Sequence, residues 1–206
     1  MKPFTTLEAV ACPLPLTNVD TDQLIAARFM KRSRADGYGG YLLYDMRFDE
    51  SGAPRADCVL NDPARQGAEI LVARRNFGSG SSREAAVYAL VDYGFSCVIA
   101  PSFGDIFASN AVNNGLLPAI VTEPDCEALL AELMQGARTA KVDLEALTVE
   151  AGGVAVPFSI DPVWRTKLLN GWDDIDLTKS HAAAISAHMA ADHAARPWML
   201  PQRRPG

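Results

Sequence analysis

Three short apolar runs in the middle of the chain alternate with stretches of helical periodicity. The runs cover residues 69–73, 95–100 and 116–121. Continuous apolar runs of this length are typical of strands that are buried on both faces. An amphipathic stretch follows each run, so residues 69–135 predict the order strand, helix, strand, helix, strand, helix. This order indicates an α/β unit with parallel strands and right-handed crossovers.

The pattern outside this unit predicts a second, β-rich part and further helices. Pro13 and Pro15 are expected to end a strand near the N-terminus, and Gly152 with Gly153 predicts a hairpin turn. The predicted strands lie at residues 5–12, 141–147, 148–151 and 154–160, and the predicted helices lie at 161–171 and 178–195. A β-rich layer is therefore expected to join the α/β unit.

The composition is that of an ordinary globular protein. The chain has 206 residues, of which 49% are hydrophobic and 21% are charged, enough for one domain with a full core or one domain plus a tail. The formal net charge of −6 argues against nucleic acid as a partner and requires a local basic patch for any anionic substrate. The sequence shows no apolar segment long enough to span a membrane, and no signal sequence in which basic residues precede an apolar segment. We therefore expect a cytoplasmic protein without a membrane contact.

The residue types that most often bind metals show no pattern of a metal site. The four cysteines are widely separated and form no C-x-x-C pair, so they show neither the motif of a zinc site nor that of a self-contained iron–sulfur site. The three histidines near the C-terminus lack the spacing of a metal-binding helix. These residues are Cys12, Cys58, Cys97, Cys126, His181, His188 and His193. We expect most of the cysteines in the core, the histidines solvated or packed, and no metal in this chain.

The turn over residues 76–84, with the sequence NFGSGSSRE, combines two glycines, three serines and an arginine. It lies between a predicted strand and a predicted helix. Gly78 and Gly80 permit a positive φ and close backbone approach, and the free N–H groups at the helix start favour an anion. The turn lacks the lysine of a Walker A loop, and Arg83 stands where the dinucleotide fingerprint needs its third glycine. Its serines are also wrongly spaced for a nucleophile elbow.

Two interpretations of the end of this turn are open on residue types alone. Ser81 and Glu84 have the spacing of a capping box, in which each side chain would accept from the other residue's N–H. Capping does not explain Arg83, because a cation at a helix start opposes the dipole. The planar guanidinium suits a carboxylate, and Ser81 and Ser82 place two hydroxyls beside it. This comparison puts anion binding slightly ahead of a plain cap.

The region before this turn contains a polar loop, a basic cluster and a glycine-rich segment. Residues 17–25 read as a loop closed by an N-cap, since the complete calcium-loop pattern is missing. Residues 37–41 have the composition of a flexible segment. The basic cluster comprises Arg28, Lys31, Arg32 and Arg34. It is either a solvated face or a source of positive potential that attracts an anionic substrate or partner.

Four motifs, in this order along the chain, resemble one known family. They are residues 18–23 (NVDTDQ), 76–84 (NFGSGSSRE), 100–107 (APSFGDIF) and 114–118 (NGLLP). Together they are similar to the small subunits of 3-isopropylmalate dehydratase, which correspond to the swivelling C-terminal domain of aconitase. The similarity runs from about residue 4 to residue 178. It implies a single swivelling α/β domain over residues 1–178, followed by a C-terminal helix and tail over 179–206.

The resemblance also implies roles for individual residues. Ser81 matches the family's catalytic base, and Ser82 and Arg83 match the residues that bind a substrate carboxylate. Gly80 belongs to the same substrate-binding loop. A [4Fe-4S] cluster is the family's Lewis acid, and it is held by the large subunit and not by this chain. The glycine-rich segment and the basic cluster before it resemble the family's mobile loop.

The implied function is that of half of a heterodimeric hydro-lyase, active only with its large subunit. It would isomerise 2-isopropylmalate to 3-isopropylmalate by dehydration and rehydration in leucine biosynthesis. A paralogue acting on citraconate, dimethylmalate or homoaconitate is an alternative, because the family usually has histidine where this chain has Ala85. A non-catalytic anion-binding module is the alternative from another class.

Overall fold

The computed structural model describes residues 1–199, in which seven strands form one sheet. The strands are β1 (Thr6–Leu14), β2 (Ile70–Ala73), β3 (Cys97–Ala100), β4 (Leu117–Ile120), β5 (Thr139–Asp143), β6 (Thr148–Ala151) and β7 (Val154–Pro157). Their order across the sheet is β4-β3-β2-β1-β5-β6-β7. Strands β1 to β4 are parallel to one another, whereas β5, β6 and β7 continue the sheet with antiparallel pairs.

Eight α-helices accompany the sheet within the described residues, besides short 3₁₀ helices. They are α1 (Thr21–Leu24), α2 (Tyr44–Arg47), α3 (Glu84–Tyr93), α4 (Asp105–Asn113), α5 (Glu123–Met134), α6 (Pro162–Asn170), α7 (Asp174–Ser180) and α8 (Ala182–Ala195). None of the helices between residues 1 and 199 is long and apolar enough to span a membrane.

The parallel strands are buried on both faces, as their continuous apolar runs predict. In β2, Leu71 and Ala73 lie in the cluster that contains the apolar side of α3, while Ile70 and Val72 lie in the cluster that contains the apolar side of α5. The predicted alternation of strands and helices over residues 69–135 and the β-rich layer that joins it are both confirmed. The chain therefore folds as a mixed α/β domain around a single sheet.

β1 continues past the proline that was expected to end it. Its first half pairs with β5 and its second half, which includes Pro13, pairs with β2. The N–H of Ala11 donates to the carbonyl of Arg138, on the β5 side of β1. Because backbone groups alternate along a strand, the nitrogen of Pro13 faces that same side, where pairing with β5 has already ended at Val10. The missing N–H of Pro13 thus costs the sheet no hydrogen bond.

Three other predicted boundaries are wrong. The strand expected over 154–160 ends at Pro157. β5 ends at Asp143 and not at residue 147, because the Asp143 side chain accepts from the N–H groups of Glu145 and Ala146 and closes a turn. The helix expected over 178–195 is two helices. The first begins earlier, at a capping box formed by Asp173 and Asp176, and it ends before His181.

The C-terminal part contains the least buried helix. No residue of α8 is buried, all three histidines are exposed, and the side chain of Trp198 is 74% exposed. The division of the chain into 1–178 and 179–206 stays a prediction, and α7 spans the proposed boundary. Residues 200–206 of the predicted tail lie outside the described residues.

One buried arginine connects the two parts of the sheet. The side chain of Arg65 donates to the carbonyls of Ala11 and Ala137, both at 2.8 Å, and to that of Leu133 at 2.5 Å. Arg65 is only 7% exposed. It therefore satisfies carbonyl groups at the end of α5 and at the point where β1 changes partners.

We expect replacement of Arg65 by methionine to lower the free energy of unfolding by about 2–4 kcal/mol, because several buried carbonyls lose their donors. The measurement is urea-induced unfolding of the purified chain. Arg138→Met is the matched control, because Arg138 is exposed, and its free energy of unfolding should stay within about 0.5 kcal/mol of the wild-type value. Equal effects of the two substitutions would contradict the assigned role of Arg65.

Candidate active site

Three loops meet where the parallel strands β1, β2 and β3 end. Residues 76–83, here called the site loop, follow β2 and lie between the loop after β1 and the loop after β3. Asp20 pairs with Ser79 on one side, and Phe77 pairs with Phe103 on the other, each as an isolated bridge. Ligand sites of α/β sheets lie at the carboxyl ends of the strands, which makes this edge the candidate site.

Backbone hydrogen bonds fix the site loop on both sides. Gly78 donates to the carbonyl of Val19 at 2.7 Å, and Thr21 donates to the carbonyl of Ser79 at 2.9 Å. On the opposite side, Gly104 donates to the carbonyl of Phe77 at 2.9 Å. The loop is therefore held as the middle member of three connected segments.

Two glycines allow these segments to approach closely. Gly78 has a φ of +70°, and an ideal Cβ at this position would lie 2.2 Å from the ring of Phe107. A Cβ on Gly104 would lie 2.7 Å from the carbonyl oxygen of Gly78. Gly80 differs, because its φ of +105° favours glycine while the nearest atom to its Cβ position is 3.5 Å away, on Asp20. Gly80 is thus required for the turn itself, and Gly78 and Gly104 for the packing.

Ser81 is half-buried and bonds to the loop after β1. Its Oγ lies 2.9 Å from Oγ1 of Thr21, and its N–H donates to the same oxygen at 3.2 Å. The helix α3 has Arg83 at its N-cap and no side-chain cap, and the carboxylate of Glu84 accepts from Asn114 at 2.9 Å. The capping-box interpretation is therefore wrong, and both of its side chains have other partners.

Arg83 is oriented by a carboxylate from the loop after β1. Its Nη1 donates to Asp22, and its side chain is 28% exposed. Nε and Nη2 have no hydrogen-bond partner within residues 1–199. These two nitrogens form a fork that can bind a second carboxylate in a bidentate way. The ion pair fixes the guanidinium and leaves that fork available.

A shallow cavity of about 230 Å³ lies in front of the serines and is lined by residues 78–82 and 104–107. Ser82 is exposed at its edge. A larger cavity of about 450 Å³ lies elsewhere, against residues 13–16 and 57–59, and has a mainly apolar lining without any residue of the site loop. Of these two cavities, only the smaller one is lined by serine hydroxyls and by an uncapped helix start, that of α4, and Arg83 directly follows its lining residue Ser82.

Two of the four cations in the basic cluster before the glycine-rich segment, Arg28 and Arg34, form ion pairs. Arg28 pairs with Asp45, and the pair lowers the pKa of that carboxyl below its ordinary value. Arg34 donates to both oxygens of Asp92 and stacks 4.0 Å from the ring of Tyr88. The segment itself packs on α3, where a Cβ on Gly39 would lie 2.5 Å from the backbone of Asp92. Residues 37–41, predicted from composition to be flexible, are docked in this structure.

Comparisons with known proteins agree with this architecture. The model of the aconitase C-terminal domain matches residues 1–124. A small subunit of 3-isopropylmalate dehydratase from Rhodospirillum centenum is 48% identical over 97% of this chain and 100% of its own length, and that from Jannaschia sp. is 45% identical with the same coverage. The chain belongs to the family of 3-isopropylmalate dehydratase small subunits.

A solved structure supports the fold of this dehydratase family. The crystal structure of 3-isopropylmalate dehydratase from Methanocaldococcus jannaschii superposes with a TM-score of 0.63, covering 89% of this chain and 99% of that one. The sequence identity of 23% makes this a likeness of fold alone. The words small subunit in the names of the relatives imply a larger partner, and membership of the aconitase family indicates an iron–sulfur enzyme.

The cysteines of this dehydratase small subunit do not fit an iron–sulfur cluster. All four are buried, and burial raises the pKa of the Cys12 and Cys126 thiols to about 12 and that of Cys97 further. Thiolates are the ligands of such clusters, so these groups are poorly suited to bind one. Within residues 1–199 no group of three or more His, Cys, Asp or Glu side chains is arranged around a common point. The expectation that the cysteines are core residues is confirmed.

The sequence predicts the site loop but not the contacts of its neighbours. Residues 17–25 were interpreted as a capped loop, and Asp20 does cap α1 together with Gln23. The same loop also supplies Thr21 to Ser81 and Asp22 to Arg83. The sequence does contain a signal for these contacts. Residues 17–25 and the site loop each follow a predicted strand, and if those strands are parallel neighbours, both loops lie at the same edge of the sheet.

We expect Gly78→Ala to destabilise the chain by about 2–4 kcal/mol and to disrupt the site, because the added methyl group overlaps the ring of Phe107 at a positive φ. Thermal or urea-induced unfolding measures the loss. Gly153→Ala is the matched control, since no atom lies within 4 Å of its Cβ position, and its effect should stay within about 0.5 kcal/mol. A Gly78→Ala protein as stable as this control would show that the close approach is unimportant.

Proposed function

We propose that this chain supplies the base and the carboxylate site of 3-isopropylmalate dehydratase. With its larger partner it would isomerise 2-isopropylmalate to 3-isopropylmalate by dehydration and rehydration in leucine biosynthesis. One observation supports this best: the hydroxyl of Ser81 is not used as a helix cap and lies at a cavity beside an oriented Arg83. A cytoplasmic location is part of the proposal.

Ser81 would remove the proton next to a substrate carboxylate. A neutral serine hydroxyl is a weak base, so Ser81 would react as its alkoxide: its own proton passes to water at the open cavity, and the alkoxide oxygen then takes the substrate proton. That oxygen must be stabilised while it carries the negative charge. The first residues of α4 line the cavity, its N-cap Gly104 makes no side-chain cap, and the N–H groups of such a helix start carry the positive end of the helix dipole. These fixed donors can stabilise negative charge on the serine or on the substrate without rearrangement.

Arg83, Ser82 and Gly80 would bind the carboxylate. Asp22 orients the guanidinium of Arg83 so that Nε and Nη2 remain for the substrate. Ser82 is exposed beside the cavity and can donate its hydroxyl, and Gly80 lets the backbone come close to the ligand without a side chain. Together these groups would recognise a planar anion and leave the rest of the substrate to be recognised elsewhere.

The [4Fe-4S] cluster would be held by the larger subunit. The buried, widely separated cysteines of this chain support that assignment, because they do not fit a cluster. The side chain of the substrate is the second point that the proposal leaves to experiment, and citraconate, dimethylmalate and homoaconitate are the related diacids to compare. A complex that binds diacids without turning over any of them would instead identify an anion-binding module.

We expect Ser81→Ala to lower kcat of the assembled two-subunit enzyme by about 10²- to 10⁴-fold, the usual contribution of a general base. Turnover of 2-isopropylmalate and of the related diacids is the measurement. Ser96→Ala is the control, because Ser96 precedes β3 at the opposite end of the sheet, and its turnover should match the wild type. Turnover by Ser81→Ala within a few-fold of the wild-type rate would rule out the serine base.

Arg83→Gln should raise KM by about 10- to 100-fold, because a charge-assisted bidentate contact to the carboxylate is lost. The change is measured by steady-state kinetics with the substrate that the wild-type enzyme turns over. Arg75→Gln removes an arginine from the same strand end, where its pair with Glu123 is 61% and 62% exposed, and KM should not change. A KM for Arg83→Gln equal to that of Arg75→Gln would exclude Arg83 from substrate binding.

A further inference from the structure

The hydroxyl of Thr21 is buried at the site without an evident structural reason. Thr21 is 1% exposed, and it is one of three buried polar or charged residues within residues 1–199. Its Oγ1 has two contacts in that range, the N–H of Ser81 at 3.2 Å and the Oγ of Ser81 at 2.9 Å. The entire hydrogen-bonding capacity of this hydroxyl is thus directed at one residue.

The directions of these two hydrogen bonds follow from counting protons. The Ser81 N–H can only donate, so Oγ1 of Thr21 accepts it. If Thr21 also accepted from the Ser81 hydroxyl, its own proton would be buried without an acceptor, which native structures avoid. Thr21 therefore donates its proton to Oγ of Ser81. The proton of Ser81 is then free to point into the cavity.

The backbone holds the Thr21 hydroxyl in place. Thr21 is the first residue of α1, which begins at the capping box of Asp20 and Gln23. Its N–H donates to Ser79 at 2.9 Å, and its carbonyl accepts from Ile25 at 3.1 Å. A donor fixed in this way does not need to reorganise when charge develops on its acceptor.

We propose that Thr21 is a positioning residue that orients Ser81 and donates to its oxygen when the serine loses its proton. The inference rests on the proposed function, because it requires Ser81 to be the base. The next residue, Asp22, holds Arg83, so one short helix positions both the base and the carboxylate site. Thr21 itself need not touch the substrate.

The test compares Thr21→Val and Thr21→Ser in the assembled two-subunit enzyme. Valine keeps the shape and removes the donor, so kcat should fall by about 10- to 100-fold, the effect of one hydrogen bond to a charged acceptor, while KM changes by less than about 3-fold. The rise of kcat with pH should move to higher pH, because the serine is then harder to deprotonate. Thr21→Ser restores the donor and should recover most of the wild-type kcat.

Controls separate this role from a structural one. Thr148→Val changes the same residue type in β6, far from the site, and should leave kcat, KM and the pH profile as in the wild type. Co-elution with the larger subunit and an unchanged unfolding temperature establish that Thr21→Val assembles. Should Thr21→Val fail to assemble, a comparison of kcat between Thr21→Ser and Thr21→Ala tests the same presence or absence of the hydroxyl donor.

The outcomes distinguish the inference from the proposed function. If Ser81→Ala is inactive and Thr21→Val has the wild-type kcat and pH profile, the inference is overturned and the serine base stands. A loss in Thr21→Val that appears only in KM, or equally at every pH, also overturns it. If Ser81→Ala is active, the base assignment fails first, and the inference fails with it.

Discussion

The close approach of three strand-end loops determines where each group of the candidate site lies. A Cβ on Gly104 would lie 2.7 Å from the carbonyl oxygen of Gly78, and the ring of Phe107 covers the position that a Cβ on Gly78 would occupy. Backbone bonds from Gly78 and to Ser79 then connect the site loop to the loop after β1. Ser81 follows two residues later and contacts Thr21, while the N-cap position of α3 is taken by Arg83.

This arrangement also explains how an acidic chain can offer an anion site. The net charge of −6 gives no general attraction for a diacid, and two of the four cations of the basic cluster, Arg28 and Arg34, are paired. The positive groups next to the site serines are a helix start without a cap and the guanidinium of Arg83. Asp22 is 58% exposed, so its pair with Arg83 adds little stability and serves mainly to orient the fork.

The sequence predicted those parts of the fold that depend on local patterns. Short apolar runs located β2, β3 and β4, and the glycines and serines of residues 76–84 located the site loop. The contact between Thr21 and Ser81 joins residues 60 positions apart, and no local pattern encodes it. The capping-box spacing was ambiguous for the same reason, since the partner that Glu84 binds is Asn114, 30 positions away. The continuation of β1 through Pro13 was not predicted, because it depends on the position at which β5 stops pairing with β1.

The size of the cavity gives a reason why the proposed activity needs two polypeptides. Its volume of about 230 Å³ is below the range of about 300–1,000 Å³ that is usual for small-molecule pockets. Its lining is mostly backbone of the site loop and the first residues of α4, among which Ile106 is 55% exposed. A diacid bound through one carboxylate at Arg83 would therefore keep its other half outside this chain. Exclusion of water and recognition of the substrate side chain must come from a surface that covers the cavity, and the larger subunit is the part of the proposed enzyme that can provide it.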